Sequence, residues 1–461
     1  MDWRFYQGVR MPAAKRASQQ EVDLLGLTEL IHHHLTKSLS RRVYRSVRTV
    51  ERQRKWAFHQ MAQFWIAVTL RAPESLRQAL ACARTGKEGI YPNVSAAAEA
   101  FFEKCHDMTW RFFQALHQDF IASILPEAPK VYAQELGDIW RRFPHILVLD
   151  GSKCDAIRRR LKLLWREKSV VLPGNISALY DLGKGICRHL AFSPNAAEHE
   201  LKRVEVLLEQ VPQGALLMGD RLYALMKFIL LLQARGLWGL FRRNKLVKFH
   251  HKQLLSRTQN GRVIVEDWLV SVGSGPTKMR LRWIRCFRQS SCFELVTTVL
   301  DPRQLSAAEA LQVYPCRWQV ERLFYDLKEV LNLHRFYAAN PNAVAMQIYA
   351  AAIVHTACRI AQARLAQQQG IAPEQISPAK LYPQLAAASC YTVHLELYHQ
   401  ELETMHGLLA RPSLSKFQFA TTTLDSIMVE KRKRYRRKKR FHPQRRRWKS
   451  LTHITGFKKL S

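Results

Sequence analysis

The stretch YPCRWQVERLFYDLK, residues 314–328, is apolar over most of its surface yet carries Tyr314, Arg317, Glu321 and Lys328 at helical spacing. At about 100° per residue, with Glu321 at zero, Lys328 falls at about −20°, Arg317 at about −40° and Tyr314 at about +20°. All four therefore share one stripe, while Trp318, Leu327 and Val330 point elsewhere. Pro315 is tolerated because it sits in the first turn. Just upstream, Ser306 and Glu309 in SAAE form a capping box, which predicts a helical start at Ser306. An i, i+4 pair of Arg317 and Glu321 would stabilise an exposed helix by about 0.2–0.5 kcal/mol. That accounts for the pair, but not for the tyrosine or the distant lysine.

Working outward, the period changes at residue 145. HILVLDGS (145–152) is a short apolar run ending in Asp-Gly, as expected of a buried strand. ALLMGD (215–220) is a second such run, also ending in an acid. The carboxyl ends of strands in an α/β core are where ligands and metals meet side chains, which singles out Asp150 and Asp220. Asp-Gly is equally a common turn. Residues 177–192 read as a hairpin turning near Gly183–Gly185, 195–210 as an amphipathic helix, and 222–234 as a helix closed by Gly236. Residues 237–300 alternate like strands (VKFHH, RVIVEDWLVSV, KMRLRWIRCF, CFELVTTVL), and 345–410 are helical in pattern.

The spacing Tyr-x2-Arg-x3-Glu-x6-Lys resembles the YREK signature of insertion-sequence family four, the bacterial DDE transposases. DGS at Asp150 is similar to that family's first acidic strand, and GDRLYALMKF at Asp220 to its Asp-Arg second motif. Glu321 falls where the third acid belongs, after a β-rich insertion. The resemblance covers about residues 145–335. It implies an α/β fold: an RNase H-like catalytic core interrupted by the insertion, flanked by helical N- and C-terminal regions and a basic tail.

The expected divisions are 1–139 (helical, DNA-binding), 140–236 (core, first part), 237–305 (insertion), 306–345 (signature helix), 346–430 (helical) and 431–461 (tail). The resemblance further implies a transposase that cuts and rejoins DNA strands, with Asp150, Asp220 and Glu321 catalytic and holding two Mg²⁺ ions, for which Mn²⁺ substitutes. Two metals activate the entering oxygen and stabilise the leaving one of an in-line displacement, and Mg²⁺ takes hard oxygen ligands. Arg317 and Lys328, on the Glu321 face, are candidates to hold phosphates, and Tyr314 to bond a phosphate or stack on a base. Arg221 is a candidate backbone clamp or a salt-bridge partner. In some family members a tryptophan of the insertion holds a flipped base. Trp268 and Trp283 are the candidates here, although a strand tryptophan is more often core. The implied partners are double-stranded DNA, both terminal repeats and target, and a second copy of the chain in the DNA complex.

Composition agrees with a nucleic-acid partner. The 461 residues are 47% hydrophobic, ample for real cores, which excludes a disordered chain; 72 Lys+Arg against 37 Asp+Glu leave a net charge of +35. A surplus of that size calls for a polyanion. KRKRYRRKKRFHPQRRRWKS (431–450) holds thirteen Lys/Arg and no acid, and reads as a phosphate-gripping arm; without it the body still carries +22. RRVYRSVRTVERQRKW (41–56) is either a helix laid on phosphates or a solvated face.

The nine cysteines show no C-x-x-C, so a structural zinc site is not expected. MDWRFYQGVR has no apolar signal-like region, and Leu222–Phe241 is broken by Lys227, Gln233 and Arg235, so no membrane span is expected and a cytoplasmic, nucleoid-associated location is. The competing reading is a catalytically inactive, sequence-specific DNA-binding protein whose charge accounts for everything.

Overall fold

Ile146–Lys153 (β1) is an interior strand of the sheet, and its ILVL run has two apolar clusters to fill. Ile146 and Val148 enter one, Leu147 and Leu149 the other. A strand covered on both faces reads as an unbroken apolar run for this reason. β1 pairs antiparallel with β2 (Asn175–Asp181), which hairpins into β3 (Ile186–Ser193). On its other edge β1 runs parallel to β4 (Leu216–Gly219), and β4 runs parallel to β5 (Trp238–Arg242). Four antiparallel strands follow: β6 (His250–Asn260), β7 (Val263–Val272), β8 (Met279–Arg288) and β9 (Ser291–Thr297). The result is one mixed nine-stranded sheet of order β3-β2-β1-β4-β5-β9-β8-β7-β6.

These elements are seen in a computed structural model that describes residues 33–389 apart from 54, 86–89, 155–173, 196–197, 276–277, 290, 334 and 339, together with 424–429. The chain divides into two compact units, Met1–Met428 and Val429–Ser461. The sheet and the helices around it belong to the first. The basic tail and the part of the 345–410 helical pattern beyond 389 lie outside the described residues.

Helices cover the sheet. Lys37–Val47 (α1), Phe58–Arg71 (α2), Leu76–Thr85 (α3), Ala98–Asp107 (α4) and Arg111–Ile124 (α5) precede it. Short Val204–Leu208 (α6) and Met226–Ala234 (α7) cover one face. Ala307–Val313 (α8), Gln319–Tyr325 (α9) and the 28-residue Pro341–Gln368 (α10) come after β9. Asn340 caps α10 and Pro341 starts it, the position where a missing N–H costs nothing. α10 is long and apolar enough to cross a membrane, but it is buried from Ala343 to Ala363 and packs on α2, α5 and β3. It thereby joins the N-terminal helices and the sheet in one apolar cluster, from Leu39 through Phe112 and Val148 to Ile427.

Three expectations needed revision. Residues 195–210 do not form one helix: a 3-10 turn at Glu200–Lys202 precedes the single short α6. The His199 ring accepts from Leu201 N–H, and Arg203 is spent on Glu198 and Ser177, so side-chain bonds hold a turn there. The strand Trp238–Arg242, read as part of the insertion, is the parallel neighbour of β4, and β6–β9 extend the same sheet beyond it. The stretch 314–330 is not one ideal α-helix. It runs as a 3-10 segment at Tyr314–Trp318, then α9, then a π segment at Asp326–Val330. The π turn closes with Leu331 N–H on the Asp326 carbonyl at 2.9 Å, and the Asp326 side chain is buried beside His355 Nε2 at 3.6 Å.

Candidate active site

The β1–β4 ladder stops at Val148↔Met218, two residues short of Asp150. Asp150, late in β1, and Asp220, just past the end of β4, both lie beyond that last pair, near the carboxyl ends of the parallel strands where ligands usually bind. Asp150 shares its side of β1 with Ile146 and Val148, the face on which Val320, Leu323 and Leu327 of the signature segment pack. Asp220 leaves β4 through a turn in which its Oδ1 accepts Leu222 N–H at 2.7 Å.

The four signature residues converge on these two strand ends. The Tyr314 hydroxyl donates to the Gly219 carbonyl at 3.0 Å. Arg317 Nη1 donates to Asp150 Oδ2 at 2.9 Å and Nη2 to Glu321 Oε1 at 3.4 Å, so one guanidinium spans two of the three acids. Lys328 Nζ donates to Ser152 Oγ at 2.8 Å and to the Lys153 carbonyl at 2.9 Å. The stripe read from helical spacing thus faces the carboxyl ends of β1 and β4, despite the mixed helical geometry. A π turn advances the chain by fewer degrees per residue than an α turn, which brings Lys328 over β1.

Burial separates the four. Tyr314 is 5% exposed and Arg317 8%, whereas the Glu321 side chain is 42% exposed. For Tyr314, read from the sequence as a nucleic-acid contact, the observed partner is the scaffold. Arg317 Nε is buried with no acceptor among the described residues. Arg221 is exposed beside Asp220, and its carbonyl accepts from Asn244 Nδ2.

Burial dominates the electrostatics of the acids in the crevice. Burial pushes the Asp150 carboxyl up to about 6; Arg317 and the Gly151 N–H oppose this, and the charges of Glu200 and Asp220 add to it. Burial likewise raises Glu321, against Arg317, and Glu200, with Asp220 adding to the rise. Tyr314 is pushed up to about 12 by burial, so its hydroxyl stays a donor at neutral pH. Glu200, on the turn after β3, is the acid that sequence reasoning missed; nothing local marks it, because its place depends on Tyr223 and Gly151 far along the chain. Among the described residues, no three Asp, Glu, His or Cys side chains lie at metal-ligand spacing, and no disulfide joins two cysteines.

Trp268 and Trp283 face each other across β7 and β8. Trp283 is buried, with Arg243, Arg285 and Lys252 over its ring at 4.7, 4.7 and 5.5 Å. Trp268 is half-buried and donates to Glu266. His250 and His251 are exposed, as expected of surface residues.

Residues 168–357 match the family model described as the transposase DDE domain. The chain is 27% identical over 165 residues to a Synechocystis protein named as transposase for insertion sequence element IS4SA, spanning 34% of this chain and 44% of that one. It is 32% identical over 103 residues to a Sinorhizobium fredii protein named as transposase y4zB, spanning 22% and 29%. The chain therefore spans less than half the length of these curated relatives. A cryo-EM structure of a piggyBac transposase synaptic complex with hairpin DNA is similar over 87% of each chain, at 10% identity and a TM-score of 0.34.

Proposed function

We propose that this chain is a bacterial insertion-sequence transposase of the DDE type, a reading supported by its match to the transposase DDE domain and its similarity to curated transposases, and that it excises and inserts its own element by cutting and rejoining DNA strands. The core, on this reading, is RNase H-like. Its support is the strand order β3-β2-β1-β4-β5 with β1, β4 and β5 parallel. The remaining β strands and the helices before β1 would form the insertion and a DNA-binding region.

The observation that carries the proposal is Arg317 bridging Asp150 and Glu321, beside the β4 end that Tyr314 ties down next to Asp220. The donor set fits a divalent metal: three carboxylates from two strand ends and a helix, without histidine or thiolate, are the hard oxygen ligands that Mg²⁺ prefers. Asp150, Asp220 and Glu321 would hold it. Bound there, such ions supply Lewis acidity at the entering and leaving oxygens.

The protein's own groups then have definite tasks. Water adds to phosphorus and the P–O3′ bond breaks, giving a 3′-hydroxyl and a 5′-phosphate; the freed 3′-hydroxyl attacks a target phosphorus in the same way. Arg317 exchanges Asp150 for a non-bridging phosphate oxygen, and its orphaned Nε–H is the donor that wants an acceptor. Lys328, on Ser152 and Lys153, would hold a flanking phosphate. Tyr314 fixes the end of β4, and so the direction of Asp220. The presence of all three acids disfavours the non-catalytic alternative.

Single substitutions test this. Asp150→Ala, Asp220→Ala and Glu321→Ala are each expected to abolish nicking of element-end DNA while end binding persists. Cleavage by any one of them removes that residue from the site, and cleavage by all three overturns the proposal.

A further inference from the structure

α1 shows the solvent a row of cations that its own folding does not call for. Lys37, Arg41 and Arg45 recur every four residues, Arg48 follows at the helix end, and all four are exposed. At about 100° per residue the first three share a stripe about 80° wide. The rest of the helix is committed inward. Leu39, Val43 and Tyr44 are buried where α1 packs on α2 and α5, and the Tyr44 ring stacks 5.6 Å from that of Phe112.

The charges do little for the helix itself. Its N-terminal end disfavours a cation at Lys37, its first turn holds no acid, and only Arg45 lies in the last turn, where the helix dipole favours it. Among the described residues no carboxylate comes within ion-pair distance of Lys37, Arg41, Arg45 or Arg48, and no side-chain hydrogen bond orients the first three. The helix cation that does have an acid partner is Arg42, 3.3 Å from Asp119. The unbalanced field reaches α2: burial holds His59 below the usual histidine range, and Lys37 and Arg41 add to the effect.

Unpaired cations along a packed helix fit a polyanion. From Lys37 to Arg48 is about 16 Å of helix, a length over which one DNA strand carries about five phosphates. A helix lying in a membrane surface needs a free apolar face, and that of α1 is already covered by α2 and α5. Reading bases takes side chains held in bidentate geometry, whereas unfixed charges on long stems meet phosphates.

We infer that the Lys37–Arg48 face of α1 grips the backbone of duplex DNA without reading its sequence. The inference rests on the DNA-acting reading above, and deepens it with a contact surface separate from the strand-end acids.

The test is fluorescence anisotropy of the full-length chain on an element-end duplex and on an unrelated duplex of equal length, across a salt series, with thermal unfolding of every variant. Lys37→Gln, Arg41→Gln and Arg45→Gln combined remove three exposed charges and keep helix-forming side chains, so parent-like unfolding is expected. The slope of log affinity against log salt should become shallower by about 0.9 per lost contact, about 2.7 in all, on both duplexes alike. Arg41→Gln alone should lose about 0.9, and decides the matter should the combined variant fail to fold. Arg41→Lys with Arg45→Lys keeps the charge and should keep both the parent slope and the parent ratio of affinities for the two duplexes. An unchanged slope in the glutamine variants overturns the α1 assignment alone. A loss confined to the element-end duplex overturns backbone gripping in favour of base reading. A parent chain that binds neither duplex overturns the DNA-acting reading as well.

Discussion

Replacing Asp150 by asparagine should stabilise the protein while destroying its proposed activity, with a defined pH dependence. Burial moves this carboxyl from an ordinary value of 3.8 up to about 6, even with Arg317 2.9 Å away. The folded state therefore holds the Asp150 proton more tightly than the unfolded chain does. The associated stability is present in full below the unfolded value and is lost as pH rises through about 6. Above that pH the charged form costs up to about 3 kcal/mol relative to a neutral isostere, reduced by the 18% of its side chain that solvent still reaches.

Urea unfolding of parent and Asp150→Asn should therefore coincide near pH 4 and diverge toward pH 8, with asparagine the more stable by about 1–3 kcal/mol. Mg²⁺ should narrow the gap by stabilising the parent. A variant no more stable than the parent at pH 8 would refute the reasoning, because Arg317 would then already balance Asp150.

Two further outcomes rest on individual bonds. Arg282 is fully buried, donating to both oxygens of Asp267 and to the carbonyls of Val299 and Leu305. Arg282→Met should cost about 3–5 kcal/mol by stranding a buried charge, and adding Asp267→Leu should recover most of it in the same unfolding assay. Tyr314→Phe should cost about 1 kcal/mol for its bond to Gly219; the salt dependence of DNA affinity should not change, and a shallower slope would return Tyr314 to the DNA surface.

The parts of the candidate site that could be read from sequence are those in which local pattern and placement coincide. Asp150 and Asp220 end apolar runs because full burial ends there, although β1 itself continues to Lys153. Arg317, Glu321 and Lys328 share a stripe because one helical segment presents them. Ser306 and Glu309 form the capping box that the local sequence spells out, with Ser306 Oγ accepting Glu309 N–H.

What was hidden depends on distant neighbours. The π turn at Asp326 involves a buried aspartate placed beside His355, which periodicity cannot show. Glu200 gains its place from Tyr223 and Gly151, far along the chain. β5 was absorbed into the insertion because Trp238–Arg242 and the strands after it share the same alternation, and only pairing with β4 tells them apart.

The continuity of the nine strands also sets a ruler and an angle. From β4 to β6 there are five strand steps, which at about 4.8 Å each is roughly 24 Å, more than the width of a DNA major groove. Twisting by about 20–25° per step, the ribbon rotates through roughly a right angle over that distance. Were the proposed function right, a straight duplex seated at the carboxylates would not lie flush along His250–Asn260 as well; it would bend, or meet that far edge crosswise.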